Sequence, residues 1–408
     1  MLKNNDNPHR TSQMKKSLLI ITGALLIFQV TALPCIAEEG NTETDNQAFS
    51  NYQEGTKALE EGRLTEAISK YAKSITLDPN NALYHNELGY VLYSKGKLER
   101  AIAEYRKAIE LNPRYPTALN NLAGAYDEIG KYDEAIKYYK MAIEMRPNYA
   151  IVHNNLGYTY IKIGHYDKAL EQLEKAIQID PGFFNAHSNI GLVYSRINHY
   201  DRAIAALEKA RDINPASNIV TNRLSYAYYK SGEYGKALEL LNSILTQTED
   251  LTEKASILNN IGLIYIKLDE YDRAIKTYKQ AIRLAPDAKD LHHNMGYCYH
   301  LKKNDLKALK LYQKELQLNP GSSITYNATG NIYKGQQNYE QAIINYKKAI
   351  EAEKPYHEAF GNLAEIYKNT NRAEEAEKIL EQYNKTYPEI SQKISVQDKT
   401  SKQENNDQ

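Results

Sequence analysis

The chain has 408 residues, of which 51 are basic, 51 are acidic and 42% are hydrophobic. This composition is too apolar for a disordered polypeptide, and the formal charge of zero argues against a protein held on nucleic acid by phosphate contacts. Two cysteines cannot form a disulfide scaffold or a four-thiolate zinc site. The sequence has no tryptophan but 35 tyrosines. We therefore expect a folded, neutral protein whose core is rich in tyrosine.

The N-terminus has the parts of a secretory signal peptide. Residues 17–33 are apolar and uncharged, Lys15 and Lys16 precede them, and Ala37 is followed by two glutamates. This pattern predicts a signal peptide over residues 1–37, starting at Met1 or Met14, and a periplasmic or extracellular protein. An uncleaved membrane anchor formed by residues 17–33 is the alternative. A lipid-modified Cys35 fits less well.

Prolines recur along the rest of the chain with a period of 34 residues. They are Pro79, Pro113, Pro147, Pro181 and Pro215, followed by Pro286, Pro320, Pro355 and Pro388. Between Pro215 and Pro286 one proline is missing and three residues are inserted. A fixed period of this size predicts a solenoid of stacked repeats rather than several separate domains.

Aligning the repeats so that this proline falls at position 32 gives ten repeats between Ala48 and about Ser391. Position 8 is Gly, Ala or Ser in every repeat, position 20 is alanine in all ten, and position 11 is tyrosine in eight. This pattern resembles the tetratricopeptide repeat, W-x2-L-G-x2-Y, then A-x3-F, then P. The resemblance implies an all-α fold, a right-handed α-solenoid superhelix of about ten helix-turn-helix units.

The residues support two helices in each repeat independently of that resemblance. Positions 4, 7, 8 and 11 are apolar or small, which is the spacing of one helix face, and positions 20, 24 and 27 form a second such face. Glycine at position 15, or Asn198 and Asn371 in its place, predicts a left-handed residue that ends the first helix. Proline after the second helix prevents its continuation. Since one repeat cannot bury both faces, neighbouring repeats must stack.

The segments that flank and interrupt the array have a different character. Residues 38–47 are polar and acidic, which predicts a linker before an array of residues 48–391. The insertion near 247–254 predicts a longer loop between repeats six and seven, and a bend between two sub-arrays there. Residues 392–408 have no apolar periodicity, so we expect a disordered polar tail.

No catalytic motif interrupts the repeats, and we expect no enzyme activity, cofactor or metal. His85, His153, His187 and His292 share position 4 of the core-facing stripe, where a polar aromatic side chain replaces the family's tryptophan. His293, Tyr297 and His300 lie on one helix face beside Cys298. Two full helical turns separate these two histidines, so packing is favoured over a metal site.

The face of each first helix opposite the core carries the candidate binding residues. At 100° per residue, positions 2, 5, 6, 9, 12 and 13 point away from the core stripe, and we call this surface the asparagine face. Asparagine recurs at positions 5 and 6 although it is a mediocre helix former. The candidate partner-binding residues are Asn121, Asn155, Asn189, Asn260, Asn294, Tyr90, Tyr158, Tyr226 and Tyr297. Amides match the donors and acceptors of an extended peptide; packing between repeats is the other interpretation.

The resemblance implies that this face lines a concave groove, and together with the residues it favours a non-enzymatic scaffold that binds a protein or peptide partner there, in the cell envelope of a prokaryote. We expect no nucleic-acid and no small-molecule partner. A regulatory or adaptor subunit of an enzyme, or of a secretion or pilus assembly complex, is the alternative. An RNA-binding helical repeat fits less well because the charge is balanced and the proline is in place.

Overall fold

The computed structural model describes residues 43–388, and within this range every regular element is an α-helix. The described chain divides into two compact units, which are residues 43–231 and residues 232–388. The predicted all-α repeat solenoid is confirmed. Its right-handed sense stays a prediction.

Odd-numbered helices are the first helices of the ten repeats, and even-numbered helices are the second. The first unit contains α1 (Glu43–Glu60), α2 (Leu64–Leu77), α3 (Ala82–Ser94), α4 (Leu98–Leu111), α5 (Pro116–Glu128), α6 (Tyr132–Met145), α7 (Ala150–Lys162), α8 (Tyr166–Ile179), α9 (Phe184–Arg196), α10 (Tyr200–Ile213) and α11 (Asn218–Ser231). The second unit contains α12 (Tyr234–Gln247), α13 (Leu251–Lys267), α14 (Tyr271–Leu284), α15 (Leu291–Leu301), α16 (Asp305–Leu318), α17 (Ser323–Gly335), α18 (Tyr339–Glu351), α19 (His357–Asn369) and α20 (Ala373–Thr386).

Within each unit, consecutive helices pack against one another, and the small residues predicted at position 8 lie at the closest approach. A Cβ atom built on Gly89 would come within 2.7 Å of the Tyr105 ring. Tyr105 and the alanine at position 20, Ala101, are almost completely buried. Glycine therefore lets the second helix place a tyrosine or leucine at position 24 directly against the first helix.

The turn between the two helices of a repeat has the same backbone conformation throughout. Position 15 has a positive φ in all ten repeats, as predicted for the glycines and for Asn198 and Asn371. A Cβ atom on Gly62 would meet nothing within 4 Å, so the left-handed conformation, and not lack of space, is what favours glycine there. Asp269, Lys303 and Gln337 adopt this conformation without being glycine.

Three predicted boundaries are wrong in part. The predicted linker 38–47 runs into α1, which begins at Glu43 with two acidic residues in its first turn. The three inserted residues extend a helix instead of a loop, because α13 has 17 residues where α3 has 13. Asp250 caps this extra turn by accepting a hydrogen bond from the Glu253 amide at 2.7 Å. The chain passes from one unit to the other at Ser231–Gly232, inside repeat six.

The predicted signal peptide (1–37) and polar tail (392–408) lie outside the described residues. Among residues 43–388, none of the helices is both long and apolar enough to cross a membrane.

Candidate functional site

The nine candidate residues all lie on odd-numbered helices, and they fall into two groups. Asn121, Asn155, Asn189, Tyr90, Tyr158 and Tyr226 belong to the first unit, and Asn260, Asn294 and Tyr297 to the second. Asn189 and Asn260 are buried, Tyr297 is exposed, and the other six are half-buried.

In the first unit, the asparagines at positions 5 and 6 are hydrogen-bonded between repeats by one rule. The side-chain amide at position 6 donates to the amide oxygen at position 5 of the preceding repeat. The three bonds are Asn121 to Asn86 at 3.1 Å, Asn155 to Asn120 at 3.1 Å and Asn189 to Asn154 at 3.0 Å. Each such bond stabilises the stack by about 0.5–1.5 kcal/mol.

Bonds within the helices join these pairs into one continuous chain, which we call the amide ladder. The Asn154 amide donates to the Asn155 oxygen, and Asn120 donates to Asn121, both at 3.3 Å. The ladder therefore runs without interruption from Asn189 to Asn86. From Asn189 to Asn86 each amide donates to the next one along the ladder: the bonds between repeats run to the preceding repeat, and the bonds within a helix run to the following residue.

The two ends of the ladder carry opposite charges. At the N-terminal end Asn86 donates to the Glu87 carboxylate at 2.9 Å. At the other end the Arg223 guanidinium donates to the Ser188 hydroxyl at 2.8 Å and to the Asn189 oxygen at 3.5 Å. The Glu87 carboxylate thus accepts a hydrogen bond from Asn86 at one end of the ladder, and the Arg223 guanidinium donates one to Asn189 at the other end. In both bonds the charge strengthens the interaction, because an anion accepts and a cation donates.

Glu87 lies in a partly desolvated, aromatic environment. Burial raises the pKa of its carboxyl group, and the hydrogen bond from Asn86 opposes this shift. Its charge in turn contributes, after burial, to the raised pKa of Tyr52 and of Tyr115. These three side chains therefore lie near one another at the second repeat.

The second unit follows the same hydrogen-bonding rule without a continuous ladder. Asn294 donates to Asn259 at 2.8 Å and Asn362 donates to Asn327 at 3.0 Å. Position 5 of repeat eight is His293, which is not an amide.

The tyrosines at position 9 lie beside the ladder. The Lys162 ammonium is 5.2 Å from the centre of the Tyr158 ring and also forms an ion pair with Asp127 of the preceding repeat. Thr159 donates to the same carboxylate at 2.8 Å. Tyr158 is thereby positioned by a cation that is itself fixed between two repeats.

The position-4 histidines are core residues, as predicted, and three of them also make a contact that helical spacing does not predict. All four are buried. In three of them Nε2 pairs with the carbonyl oxygen of the proline six residues earlier, at 3.1 Å for His85, 3.0 Å for His153 and 2.9 Å for His187. Histidine therefore ties the loop between repeats to the first helix.

The residues considered for metal binding have other partners. His293 Nδ1 pairs with the Thr325 hydroxyl at 3.0 Å, and burial lowers the pKa of this imidazole to about 4. His300 Nδ1 pairs with Asp305 at 2.7 Å. Cys298 is fully buried, and burial raises the pKa of its thiol to about 12. Across residues 43–388, no three His, Cys, Asp or Glu side chains are grouped as a metal site requires.

The charged ends of the ladder were visible in the sequence but were not recognised there. Position 6 reads Glu87, Asn121, Asn155, Asn189 and Arg223 in repeats two to six. Glu87 and Arg223 stand at opposite ends of this asparagine series and carry opposite charges. This pattern is the signal that could have predicted a ladder.

Sequence profiles of the tetratricopeptide repeat match most of the chain. Profiles described as "TPR repeat" match residues 55–96, 89–130, 157–198 and 262–303. Others described as "Tetratricopeptide repeat" match residues 116–149, 138–171, 198–257 and 333–393. The chain belongs to the tetratricopeptide repeat family.

Several solved structures are similar to this chain. The MamA protein is 30% identical, with 42% of this chain and 93% of that chain covered and a TM-score of 0.37. A tetratricopeptide repeat protein from Parabacteroides merdae ATCC 43184 is 18% identical, with 65% and 99% covered and a TM-score of 0.47. PilF of Pseudomonas aeruginosa is 22% identical, with 54% and 96% covered and a TM-score of 0.46. No curated protein sequence matches this chain.

The family defines the general class of function. Tetratricopeptide repeat arrays are in general non-catalytic scaffolds that bind other proteins, and residues 43–388 of this chain form twenty helices that pair as such repeats do.

Proposed function

We propose that this protein is a non-enzymatic scaffold that binds an extended segment of a protein partner on the asparagine face of its first unit. The amide ladder is the observation that carries this proposal. It sets side-chain amides in a continuous row over repeats two to five, beside the half-buried position-9 tyrosines Tyr90, Tyr158 and Tyr226.

The ladder stabilises the stack and leaves capacity for a partner. An asparagine amide has two N–H donors and two acceptor lone pairs, and each ladder member donates one hydrogen bond and accepts one hydrogen bond along the ladder. The half-buried members Asn120, Asn121 and Asn155 are open to one side. Their remaining groups suit the backbone of an extended chain, while the tyrosines add contact area at modest entropic cost.

Partner capture by matched tyrosine variants tests this proposal. We expect Tyr158→Ala combined with Tyr226→Ala to abolish capture of the partner that the wild-type chain enriches from the native cell envelope. Tyr339→Ala removes an exposed tyrosine from the even helix α18 and should capture the partner as the wild type does. Circular dichroism of each variant checks that the fold is intact. Equal capture by the double variant would refute binding on this face.

We also propose that the chain has no enzymatic activity, and that it needs no cofactor and binds neither nucleic acid nor a small-molecule substrate. The balanced charge of the chain supports the absence of nucleic-acid binding. Titration with single-stranded and double-stranded RNA at low salt provides the test, and saturable binding weakened by salt would contradict the proposal.

The proposed site of action is outside the cytoplasm. Lys15, Lys16 and the apolar run after them support export through a signal peptide cleaved after Ala37. N-terminal sequencing of the native protein should therefore begin at Glu38. A soluble cytoplasmic protein that begins at Met1 or Met14 would exclude export, whereas a membrane-bound one would support an anchor.

A further inference from the structure

Charged residues on the asparagine face of the first unit are segregated by sign. Positions 2, 5, 6, 9, 12 and 13 of α1, α3 and α5 include acidic but no basic residues, and the same positions of α7, α9 and α11 include basic but no acidic residues. The acidic residues are Glu60, Glu87, Asp127 and Glu128, and the basic residues are Lys162, Arg196, Arg223 and Lys230. One half of this face is therefore anionic and the other cationic.

The two halves meet in the middle of the unit. Asp127, on the last acidic helix, forms an ion pair with Lys162, on the first basic helix. Away from this junction, Glu60 and Arg196 are exposed, as is Lys230, whose ammonium is 5.7 Å from the centre of the Tyr200 ring. The Asp127–Lys162 pair lies at the junction, whereas Glu60, Arg196 and Lys230 lie at exposed positions farther along the face.

The amide ladder has the same polarity as the charges. Its donors point toward the Glu87 carboxylate and its oxygens toward the Arg223 guanidinium. Hydrogen bonds joined in a chain polarise and strengthen one another. The charges and the ladder therefore distinguish the same two ends of the face: an anionic end at α1, α3 and α5, and a cationic end at α7, α9 and α11.

We infer that this face selects an extended polypeptide segment with a basic part followed or preceded by an acidic part. The basic part lies over α1, α3 and α5, and the acidic part lies over α7, α9 and α11. Complementary charges favour this register, and like charges disfavour a uniformly charged segment or a reversed placement. The inference rests on the proposed function, because it specifies the partner of the same face.

Synthetic peptides test the inference with the full chain. One peptide of about 24 residues, long enough to extend over about 80 Å, has a Lys-Ser block, a Gly-Ser centre and a Glu-Ser block. A second has the same composition with lysine and glutamate alternating. By fluorescence anisotropy, the block peptide should bind at least tenfold more tightly at low salt, and this preference should shrink at high salt.

Two charge-inverted variants separate the face from the rest of the surface. Glu60→Lys with Lys230→Glu keeps the net charge and should weaken binding of the block peptide at least fivefold. Glu171→Lys with Lys175→Glu inverts an exposed ion pair on α8 and should leave the affinity unchanged. Sedimentation of the chain without peptide tests whether a second copy of this chain occupies the face. A wild-type dimer that dissociates in the Glu60→Lys with Lys230→Glu variant would overturn the inference.

The outcomes also distinguish this inference from the proposed function. Equal affinity for the block and alternating peptides, or no effect of Glu60→Lys with Lys230→Glu, overturns the inference. If the tyrosine pair Tyr158 and Tyr226 is still needed for partner capture in that case, binding on this face stands and only its charge selectivity fails.

Discussion

Glu87 and Arg223 occupy the same position of the second and sixth repeats, and a row of asparagine amides connects the carboxylate to the guanidinium. Each intervening amide donates in the direction of Glu87. A ladder of amides alone would end with an unused donor at one terminus and an unused acceptor at the other. The two charged residues satisfy these ends, so every amide of the ladder, including the two terminal ones, both donates and accepts a hydrogen bond.

The ladder predicts energetic coupling between repeats. Asn155→Ala and Asn120→Ala each remove one partner of the 3.1 Å bond, and we expect each to cost about 1 kcal/mol of unfolding free energy. The double variant should cost less than the sum by about 0.5 kcal/mol or more. Urea unfolding followed by circular dichroism measures these values. Asn185→Ala changes an asparagine of the same face that lies outside the ladder, and its cost should simply add to that of Asn120→Ala.

A buried glutamate in the second unit predicts a pH-dependent stability. Glu315 is completely buried at position 27, where most repeats have alanine. Burial raises the pKa of its carboxyl group, although its Oε1 accepts the Asp290 amide N–H at 2.8 Å. The folded protein therefore holds this proton more tightly than the unfolded chain, so stability should fall as pH rises above about 4.5 and through the folded-state pKa.

Glu315→Gln keeps an acceptor for the Asp290 amide and removes the buried charge. At pH 8 the variant should be more stable than the wild type by about 1–3 kcal/mol, and should therefore melt at a higher temperature. This difference in stability should be smaller at pH 4. Glu381→Gln, at an exposed position of α20, serves as the control and should show no such dependence. A difference that stays constant between pH 4 and pH 8 would contradict the assignment.

Close helix packing predicts that two glycines of the first unit respond oppositely to alanine. A Cβ atom on Gly191 would lie 2.4 Å from Leu207 Cγ, whereas one on Gly124 would be 3.5 Å from the Tyr139 hydroxyl, an ordinary contact. Gly191→Ala should destabilise the protein by about 1–3 kcal/mol. Gly124→Ala should be neutral or stabilise it by up to about 1 kcal/mol, because alanine is the better helix former. Thermal melting distinguishes the two, and similar effects would argue against the close approach.

Strain at position 15 predicts a stabilising substitution. Lys303 has a φ of 59° where five repeats have glycine, a conformation that costs a non-glycine residue about 1–2 kcal/mol. Lys303→Gly should therefore raise the unfolding free energy by about 1 kcal/mol. Lys302→Gly changes the neighbouring residue, whose φ is −80°, and should stabilise nothing. A lower melting temperature for Lys303→Gly would show that the lysine side chain contributes more than the strain costs.

Much of the fold was predictable because period, helix faces and turn chemistry agree at each repeat. Gly62 shows this, since one residue type reports both the end of a helix and the left-handed turn. The three inserted residues were not predictable in the same way, because either a longer loop or a longer helix accommodates them. In the structure they form a longer helix, which Asp250 stabilises as its N-cap.

The candidate site was predictable as a set of positions but not as a set of bonds. Helical spacing placed Asn155 and Asn189 on the same face, yet whether their amides meet other repeats depends on how far one first helix is displaced along the next. This displacement depends on how the cores of successive repeats pack, which helical spacing alone does not define. A single sequence therefore left contact with a partner and packing between repeats as equal interpretations.

The amide ladder has a consequence for how such an array can change in length. Because each rung joins position 6 of one repeat to position 5 of the preceding repeat, any whole repeat with asparagine at both positions can be inserted between repeats three and five without a mismatched bond. The end charges at Glu87 and Arg223 would stay satisfied and simply move farther apart. Duplication of one 34-residue segment would thus lengthen the spacing between the anionic and cationic ends in fixed increments, and a longer partner segment could be accommodated without redesigning either terminus.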